Sequence, residues 1–491
     1  MINIWLDEEK YVTEVTPLIK SFFPKEETEV NIGAVKEMYT RIGQHIIVQA
    51  KSSEEVSVLY KNMDREVGRR IPVAGMEYKD KKDTCVRTLY QVCKEVTGRD
   101  LPWGILTGVR PTKQVLAGVL EGTDTKELRK YMMEHYLVSE EKWILSRQIA
   151  GVEKCILSEI DEKNGYSIYI SIPFCPTTCL YCSFTSYPEG MWKERMDEYI
   201  DCMEKEIRYI KAAMPDKNPD TIYVGGGTPT TLSPNHLERL MQVLQDCFDL
   251  NALKEFTVEA GRPDSVTREK LEVLRNYPVT RISINPQTMK QETLDLIGRR
   301  HTVEQTREAF LLARELGFDN INMDIIVGLP GESKEDVQRT LEEIQALAPD
   351  NLTVHSLAIK RTSRLGMNLK RYKDMDMENS TEIMDMVQEC AYNMGMHPYY
   401  LYRQKNMAGN QENVGYAMPD KDGIYNVLIM EERQSILAVG AGAITKIVTE
   451  PGTLHERVEN VKDIHTYLTR VDEMIDRKKE ALSAVNFFRT E

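Results

Sequence analysis

A chain of 491 residues with a net charge of −14 is too long for one ordinary core, and its acidity argues against broad binding to nucleic acid or to anionic membranes. Its composition, 41% hydrophobic and 29% charged, is that of a soluble globular protein, and no apolar run reaches the roughly 20 residues that a membrane span needs. The first ten residues lack the basic start and the apolar stretch of a secretory signal. We therefore expect a cytoplasmic protein of several domains.

The N-terminal part has a less regular pattern than the rest, and we expect residues 1–155 to form a separate α+β domain. A strand is predicted at residues 45–50, and helices are predicted at residues 54–67 and 85–96. A turn-rich, basic segment follows at residues 103–113. The pattern does not indicate what this domain does.

Short β-branched runs alternate with amphipathic segments from about residue 167 onward. Six runs are predicted as strands, at residues 167–172, 221–224, 255–259, 280–284, 320–327 and 352–356. Helix starts lie between them: Ser233 is an N-cap before Pro234, and Thr302 with Gln305 forms a capping box. Six strand–helix units predict an α/β fold with a parallel sheet. Both a partial or full (β/α) barrel and an open doubly wound sheet fit this pattern.

A third region is predicted after the strand–helix units. The units define a core domain at residues 156–365, and residues 366–491 follow it. Helices are predicted around residues 381–394 and 461–468, on either side of a glycine-containing, strand-rich stretch. We expect this region to be an α+β extension that covers the substrate.

Three of the nine cysteines lie within eight residues, directly after the first predicted strand of the core: Cys175, Cys179 and Cys182. The other six are scattered and are predicted to be buried free thiols, because an odd number of cysteines argues against a disulfide framework. Soft thiolates at this spacing suit an iron–sulfur cluster or zinc. Structural zinc sites usually have two separated ligand pairs, and no second pair lies nearby. We therefore predict a [4Fe–4S] cluster.

The number of cysteines predicts the chemistry of that cluster. Four cysteines saturate every iron and make an electron carrier, whereas three leave one iron without a protein ligand. That iron can bind the amino and carboxylate groups of S-adenosylmethionine, and one electron from the reduced cluster then breaks the bond between the sulfonium and C5′. The products are methionine and a 5′-deoxyadenosyl radical. No catalytic residue beyond the cluster and this cofactor is predicted, because the protein supplies positioning.

Further candidate residues follow the later strands. The run Gly225-Gly226-Gly227-Thr228-Pro229 comes after the second strand, where glycines let the backbone approach a ligand and exposed amide groups can hold a carboxylate. Glu259 ends the third strand, Gln287 follows the fourth, and Asp324 lies in the fifth. Reactive groups gather at the carboxyl ends of barrel strands, so we expect these side chains at one site.

The order of these motifs resembles the radical S-adenosylmethionine superfamily, and more closely the family of oxygen-independent coproporphyrinogen III oxidase, also called coproporphyrinogen dehydrogenase. Residues 169–175 match the family's YxHIPFC motif except that Ser171 replaces histidine, residues 224–230 match its glycine motif, and residues 324–330 match DxIxGLP. The turn-rich basic segment and the long N-terminal extension are similar to the HemZ-type branch. The resemblance spans about residues 166–446 and implies a partial (β/α) barrel of six units.

The resemblance also implies which residues bind the cofactors. The three cysteines would hold the cluster. Contacts to one or two molecules of S-adenosylmethionine are implied for Tyr169, Gly227, Thr228, Pro229, Glu259, Gln287, Arg299, Asp324, Ala358 and Ile444. A low-potential electron donor such as flavodoxin or ferredoxin is the implied partner. A substrate with several carboxylates needs basic residues near the barrel mouth. The candidates are Arg361, Arg364, Arg403 and Lys405.

The implied reaction is the oxidative decarboxylation of two propionates of coproporphyrinogen III to vinyl groups, which gives protoporphyrinogen IX without oxygen in haem biosynthesis. A haem chaperone on the same scaffold and a radical methyltransferase acting on haem are the alternatives. Three departures from the family's pattern concern the substrate. Ser171 is one, and a basic segment at residues 399–406 in place of an acidic tyrosine motif is another. The third is Phe184. Decarboxylating members commonly have a fourth cysteine at this position, whereas the haem-chaperone branch has phenylalanine.

Overall fold

The computed structural model describes residues 1–24, 26–33, 43–372, 374–377, 379–404, 407 and 411–485. Lys405 therefore lies outside the described residues. The chain forms two compact units, Met1–Ala150 and Gly151–Glu491. The three-domain division with boundaries at residues 155 and 365 stays a prediction. In the described part of the chain, no helix is both long enough and apolar enough to span a bilayer.

The first unit contains a five-stranded sheet. Its strands are β1 (Ile2–Leu6), β2 (Thr28–Ile32), β3 (Gln44–Gln49), β4 (Glu55–Lys61) and β5 (Glu66–Pro72), in the order β2-β1-β3-β4-β5. β1 is parallel to both of its neighbours, β2 and β3, whereas β4 is antiparallel to both β3 and β5. The helices that begin in this unit are α1 (Val12–Phe22), α2 (Tyr78–Thr97), α3 (Lys113–Glu121), α4 (Thr125–Glu134) and α5 (Glu140–Ser158), the last of which continues into the second unit. Because α2 contacts β4, β5 and α1, it covers one face of the sheet.

One prediction in this unit is wrong. The helix predicted at residues 54–67 is replaced by β4 and β5, whereas the predicted strand and the second helix are present as β3 and α2. Val56, Val58 and Tyr60 are buried and the residues between them are less so, which is the period of two of a half-buried strand. Val56, Tyr60 and Val67 also fit helical spacing, so periodicity alone misled; the β-branched residues favour the strand.

The second unit contains the longer sheet. Its strands are β6 (Tyr166–Ile172), β7 (Phe174–Cys175), β8 (Tyr187–Pro188), β9 (Thr221–Gly226), β10 (Glu255–Glu259), β11 (Arg281–Ser283), β12 (Ile321–Val327), β13 (Asn351–Ser356), β14 (His397–Tyr402), β15 (Asn413–Ala417), β16 (Ser435–Val439), β17 (Ile444–Glu450) and β18 (Thr453–Glu459). All of these except β7 and β8, which pair with each other, belong to one sheet of eleven strands.

Twelve helices accompany these strands in the described part of the second unit. They are α6 (Met196–Ala213), α7 (Pro234–Cys247), α8 (Arg268–Arg275), α9 (Gln291–Leu296), α10 (Val303–Glu315), α11 (Lys334–Leu347), α12 (Arg364–Met367), α13 (Leu369–Tyr372), α14 (Thr381–Asn393), α15 (Ile424–Glu431), α16 (Ile464–Thr469) and α17 (Val471–Ala484). Both predicted helix starts are confirmed. Ser233 accepts from the His236 amide at the start of α7, and the capping box of Thr302 and Gln305 opens α10.

The strand order decides between the two predicted architectures. The six predicted core strands are all present and are parallel neighbours in chain order, β6-β9-β10-β11-β12-β13. A doubly wound sheet reverses its order at a switch point, and these strands do not. The outer strands of this set pair with later ones, β13 with β15 and β6 with β16. The predicted partial (β/α) barrel with an α+β C-terminal extension is thus confirmed.

The two faces of the six core strands differ in polarity. One face is apolar and almost fully buried, and is formed by Ile168, Ile170, Ile222, Val224, Phe256, Val258, Ile282, Met323, Ile325, Leu352 and Val354. The alternating positions carry polar or aromatic residues. Five of these stay partly exposed: Tyr169, Tyr223, Glu259, Asp324 and His355. Because side chains alternate between the faces of a strand, these five share an accessible polar surface on the inner face.

Candidate functional site

The cysteine triplet follows β6: Cys175 ends β7, and Cys179 and Cys182 lie after it. Residues 175–182 are called the cysteine loop. Cys179 is buried, while Cys175 and Cys182 are partly exposed. The loop is held against the end of α9, because the Leu180 amide donates to the carbonyl oxygen of Ile297 at 2.8 Å. Burial raises the pKa of Cys182 to about 11, and the neighbouring Cys179 and Cys175 add to the rise.

Two buried arginines face this loop. Asp264 holds Arg262 through two hydrogen bonds, Nε to Oδ1 at 2.9 Å and Nη2 to Oδ2 at 2.6 Å. Arg262 Nη1 donates to Thr177 Oγ1 at 2.8 Å and lies 3.9 Å from Cys179 Sγ. Arg299 Nη1 donates to the Asn285 carbonyl oxygen at 2.5 Å, and its guanidinium also faces Cys179. Burial raises the pKa of Cys175, and both cations oppose that rise.

The glycine motif packs directly on the cysteine loop. Thr228 Oγ1 lies 3.5 Å from Cys175 Sγ. A β carbon on Gly227 would lie 2.6 Å from the Phe174 carbonyl oxygen and 3.0 Å from Cys175 Sγ, so only glycine fits this close approach. Gly226 has a φ of +108°, which also favours glycine. The glycine motif and the cysteines meet because β6 and β9 are neighbours and their carboxyl ends lie together.

Glu259 lies beside the glycine motif at the end of β10. Tyr223 donates from its hydroxyl to Glu259 Oε1 at 2.5 Å, and a β carbon at Gly225 would lie 2.7 Å from the Tyr223 ring and 3.0 Å from this carboxylate. Burial raises the pKa of Glu259 to about 7, and the nearby charge of Asp324 adds to this, against the hydrogen bond from Tyr223. Near neutral pH this carboxyl group therefore exists in both protonation states.

Asp324 is the second carboxylate of the polar surface. Asn322 Nδ2 donates to Asp324 Oδ1 at 2.7 Å, and His355 Nε2 lies 3.8 Å from Asp324 Oδ2. Burial opposes ionisation, but His355 and Asn322 together outweigh it and hold the pKa of Asp324 below its usual range. The surface thus carries one firmly ionised carboxylate and one that titrates near pH 7.

The other predicted cofactor residues lie on several strands. Gln287 adopts a φ of +67°, and its amide donates to the Asp324 carbonyl oxygen at 2.9 Å, so strained backbone joins β11 to β12 here. Tyr169 stacks against Tyr223 with ring centroids 6.1 Å apart. Pro229 opens a short turn after the glycines, and Ala358 follows β13.

Ile444 is placed differently from the other predicted residues. It begins β17, and β16 separates that strand from β6. The structure therefore brings Gly227 and Thr228 to the cysteine loop and Glu259 to the glycine motif, but does not place Ile444 on the same strands. That these residues contact S-adenosylmethionine stays a prediction.

A ligand with hydrogen-bond acceptors would complete this site. Within the described residues, Arg299 Nε and Ser283 Oγ are buried and have no hydrogen-bond partner. A buried donor without an acceptor costs about 1–3 kcal/mol, so such atoms indicate a missing partner. Three soft sulfur donors flanked by two arginines fit a [4Fe–4S] cluster, and an unpartnered guanidinium donor fits a carboxylate. Among the described residues, no three His, Cys, Asp or Glu side chains lie close enough together to bind a single metal ion.

The candidate substrate residues divide into two groups. Arg361 and Arg364 are exposed, and Arg364 Nη1 donates to the Thr178 carbonyl oxygen of the cysteine loop at 3.2 Å. Arg403 is buried, and burial lowers its pKa to about 10. Arg403 is thus not part of an exposed basic surface.

Sequence reasoning missed four residues of this site. Tyr223, Ser283 and Arg262 received no role, and neither did His301, which is fully buried with no partner on either ring nitrogen in the described chain. Burial lowers the pKa of His301 to about 3, helped by the charge of Arg299. A usable signal existed only for Tyr223 and Ser283, which are polar or aromatic positions at a period of two within predicted strands.

Replacing Glu259 with glutamine is expected to change how stability depends on pH. The folded-state pKa of about 7 lies above the ordinary value of 4.5, so the folded chain keeps a proton that the unfolded chain has lost. The stability this group contributes is fully present below pH 4.5 and is lost as the pH rises to 7. Glutamine keeps an uncharged group, so between about pH 5 and pH 8 the variant should gain about 2 kcal/mol relative to the wild type.

Thermal unfolding of the metal-free protein at the two pH values measures this difference. Glu308→Gln, which changes an exposed glutamate of α10, is the control and should follow the wild type. If the stability of Glu259→Gln depends on pH in the same way as that of the wild type, the raised pKa of Glu259 is contradicted.

Comparison with known proteins places this site in a family. The sequence pattern of the radical SAM superfamily matches residues 169–344. The oxygen-independent coproporphyrinogen-III oxidase-like protein HemZ of Bacillus subtilis is 39% identical over 412 residues, which is 83% of this chain and 82% of that protein. The heme chaperone HemW of Bacillus subtilis is 33% identical over 245 residues, which is 49% of this chain and 63% of that protein.

A solved structure supports the same relationship. Coproporphyrinogen III oxidase (HemN) from Escherichia coli, described as a radical SAM enzyme, superposes with a TM-score of 0.51 and 25% sequence identity, over 66% of this chain and 73% of that one. Membership of the radical SAM superfamily implies a [4Fe–4S] cluster and S-adenosylmethionine. The chain belongs to this superfamily, in the group of proteins similar to oxygen-independent coproporphyrinogen-III oxidase.

Proposed function

We propose that this protein catalyses the oxygen-independent oxidative decarboxylation of coproporphyrinogen III to protoporphyrinogen IX. The observation that carries the proposal is the meeting of three parts at one edge of the sheet: the cysteine loop, the glycine motif and the carboxylate of Glu259. The substrate class rests on the similarity to HemZ over four-fifths of both chains. We further propose that Cys175, Cys179 and Cys182 hold the cluster.

When bound, the cluster and S-adenosylmethionine supply a 5′-deoxyadenosyl radical that can take a hydrogen atom from carbon. The chain's own residues would orient the cluster and S-adenosylmethionine and shield them from water. Arg262 and Thr228 donate toward the ligating sulfurs, and Arg299 Nε can hold the carboxylate of the methionine part. Asp324 and ionised Glu259 can accept hydrogen bonds from hydroxyl or ammonium groups of the same molecule.

The reaction balances as follows at each propionate. At each propionate the bound cofactor would supply abstraction of a hydrogen atom from the β carbon, with 5′-deoxyadenosine as the by-product. The carboxylate then leaves as carbon dioxide, the two remaining carbons form a vinyl group, and one electron passes to a one-electron acceptor. Two such rounds consume two molecules of S-adenosylmethionine. Each cleavage needs one electron from an external donor.

One observation favours a haem chaperone as the second candidate. Phe184, two residues after Cys182, is 77% exposed, so it is placed to contact a partner or an apolar ligand and not the core. The 33% identity to HemW covers half of this chain. A chaperone would bind haem without consuming S-adenosylmethionine.

An anaerobic assay separates the two candidates. The reconstituted protein is given coproporphyrinogen III, S-adenosylmethionine and a chemical reductant, and the products are identified by mass spectrometry. We expect two molecules each of carbon dioxide and 5′-deoxyadenosine per protoporphyrinogen IX. Stoichiometric haem binding with no substrate-dependent 5′-deoxyadenosine would contradict the oxidase and support the chaperone. A methylated tetrapyrrole would contradict both.

A further inference from the structure

A strongly basic segment lies beside the cysteine loop. Residues 360–371 contain five cations and no acidic residue, in a chain whose net charge is −14. The cations are Lys360, Arg361, Arg364, Lys370 and Arg371. All except Lys360 are well exposed, and none of the five forms an ion pair with another described residue. An exposed basic segment in an acidic chain attracts partners of opposite charge.

This basic segment is anchored to the cysteine loop. The Leu365 amide donates to the Leu180 carbonyl oxygen at 2.8 Å, and Arg364 Nη1 donates to the Thr178 carbonyl oxygen at 3.2 Å. Leu365 and Tyr372 are buried in the same apolar cluster as Leu180. Leu365 and Tyr372 thus anchor the segment in the apolar cluster, while Arg361, Arg364, Lys370 and Arg371 are exposed to solvent. A partner bound to the cations would lie directly over the cysteines.

The composition of the surface indicates a macromolecule. Met367 is 68% exposed and Leu369 is 41% exposed, and both lie between Arg364 and Lys370 in the chain. Protein interfaces combine an apolar centre, often with methionine, and a polar rim. A small carboxylate ligand would instead need guanidinium groups that converge on one point, and these cations are spread over α12, α13 and the residues before them.

We propose that residues 360–371 form the docking surface for an acidic one-electron carrier protein that reduces the cluster. The proposal rests on the proposed function, which needs one external electron for each S-adenosylmethionine cleaved. A single electron passes from the reduced carrier to the oxidised cluster, and no bond is made or broken. Opposite charges raise the association rate of such transient partners and make it depend on ionic strength. The contacts to Thr178 and Leu180 place the carrier next to the cysteine loop.

Charge reversal tests the surface on the reconstituted full-length protein. The double variant Arg361→Glu/Lys370→Glu changes two exposed cations that form no ion pair in the described chain. The control, Lys163→Glu/Lys479→Glu, changes two other exposed lysines and removes the same charge. Lys163 precedes β6, whereas the cysteine loop follows that strand. Stopped-flow absorbance follows the bleaching of the cluster by a reduced acidic [2Fe–2S] ferredoxin and, separately, by reduced methyl viologen, a small cation.

At low ionic strength we expect reduction by ferredoxin to be at least tenfold slower in the double variant than in the wild type or the control. Added salt should slow the wild type toward the variant, because it screens the attraction. Methyl viologen should reduce the double variant and the control at least as fast as it reduces the wild type. A ferredoxin rate equal to that of the control would overturn the proposal. An unchanged ferredoxin rate with a raised KM for coproporphyrinogen would overturn it in favour of substrate binding.

The same data separate this proposal from the proposed function. If charge reversal slows reduction by ferredoxin but no decarboxylation is detected, the docking surface is supported and the oxidase function is contradicted. Decarboxylation driven equally well by ferredoxin in all three proteins would sustain the oxidase and sink the docking surface. Absence of a reducible cluster in the wild type would overturn both.

Discussion

Cys179→Ser is expected to abolish assembly of the cluster. The oxygen of serine is a hard donor with a far higher pKa than a thiol, and iron–sulfur clusters require thiolates. The position is buried beside Arg262 and Arg299, so no solvent thiol can substitute easily. Changes in the outer shell of a metal site cost about 10–100-fold, and the loss of a ligand should exceed that range for S-adenosylmethionine cleavage. Iron, acid-labile sulfide and 5′-deoxyadenosine are the measured quantities.

Cys390→Ser provides the matched control for this prediction. Cys390 is a half-buried cysteine of α14 whose sulfur lies 4.0 Å from the Leu341 carbonyl oxygen. Serine preserves that weak contact, so cluster content and cleavage should match the wild type. Cys179→Ser protein that retains wild-type iron and sulfide after anaerobic reconstitution would disprove the assignment of Cys179 as a ligand.

Gly227→Ala is expected to displace the cysteine loop. The added β carbon would lie 2.6 Å from the Phe174 carbonyl oxygen, 2.9 Å from the Pro173 carbonyl carbon and 3.0 Å from Cys175 Sγ. Two of these are backbone atoms that cannot rotate away. Forcing an extra carbon into a packed site typically costs about 1–3 kcal/mol, and we expect the upper end here. The variant should therefore melt at a lower temperature by calorimetry and should hold less than half of the wild-type iron.

Gly190→Ala is the corresponding control. Gly190 is not in the left-handed region, and a β carbon there meets nothing within 4 Å. Its Tm and iron content should match those of the wild type. If Gly227→Ala assembles a full cluster with an unchanged Tm, the close packing of the glycine motif on Cys175 is not what the chemistry requires.

The comparison of sequence and structure shows which features local patterns can predict. The six core strands and the caps at Ser233 and Thr302 were predicted correctly, because each depends on residues within one or two turns of chain. The helix predicted at residues 54–67 was wrong for the same reason, since Val56 and Tyr60, four residues apart, fit both the helical period and the strand period. Local spacing cannot distinguish a helix from a strand when pairing with neighbouring strands determines the conformation of the segment.

By itself the sequence determined the cysteine triplet, the glycine motif and the strand–helix alternation. Only the tertiary structure decided that the six strands follow chain order, that Arg262 reaches Cys179 from 83 residues away, and that the cations around Arg364 rest on the cysteine loop. The reason is physical. Motifs and caps are written in neighbouring residues, whereas strand order and long-range contacts follow from how the whole chain buries its apolar surface, which no short segment encodes.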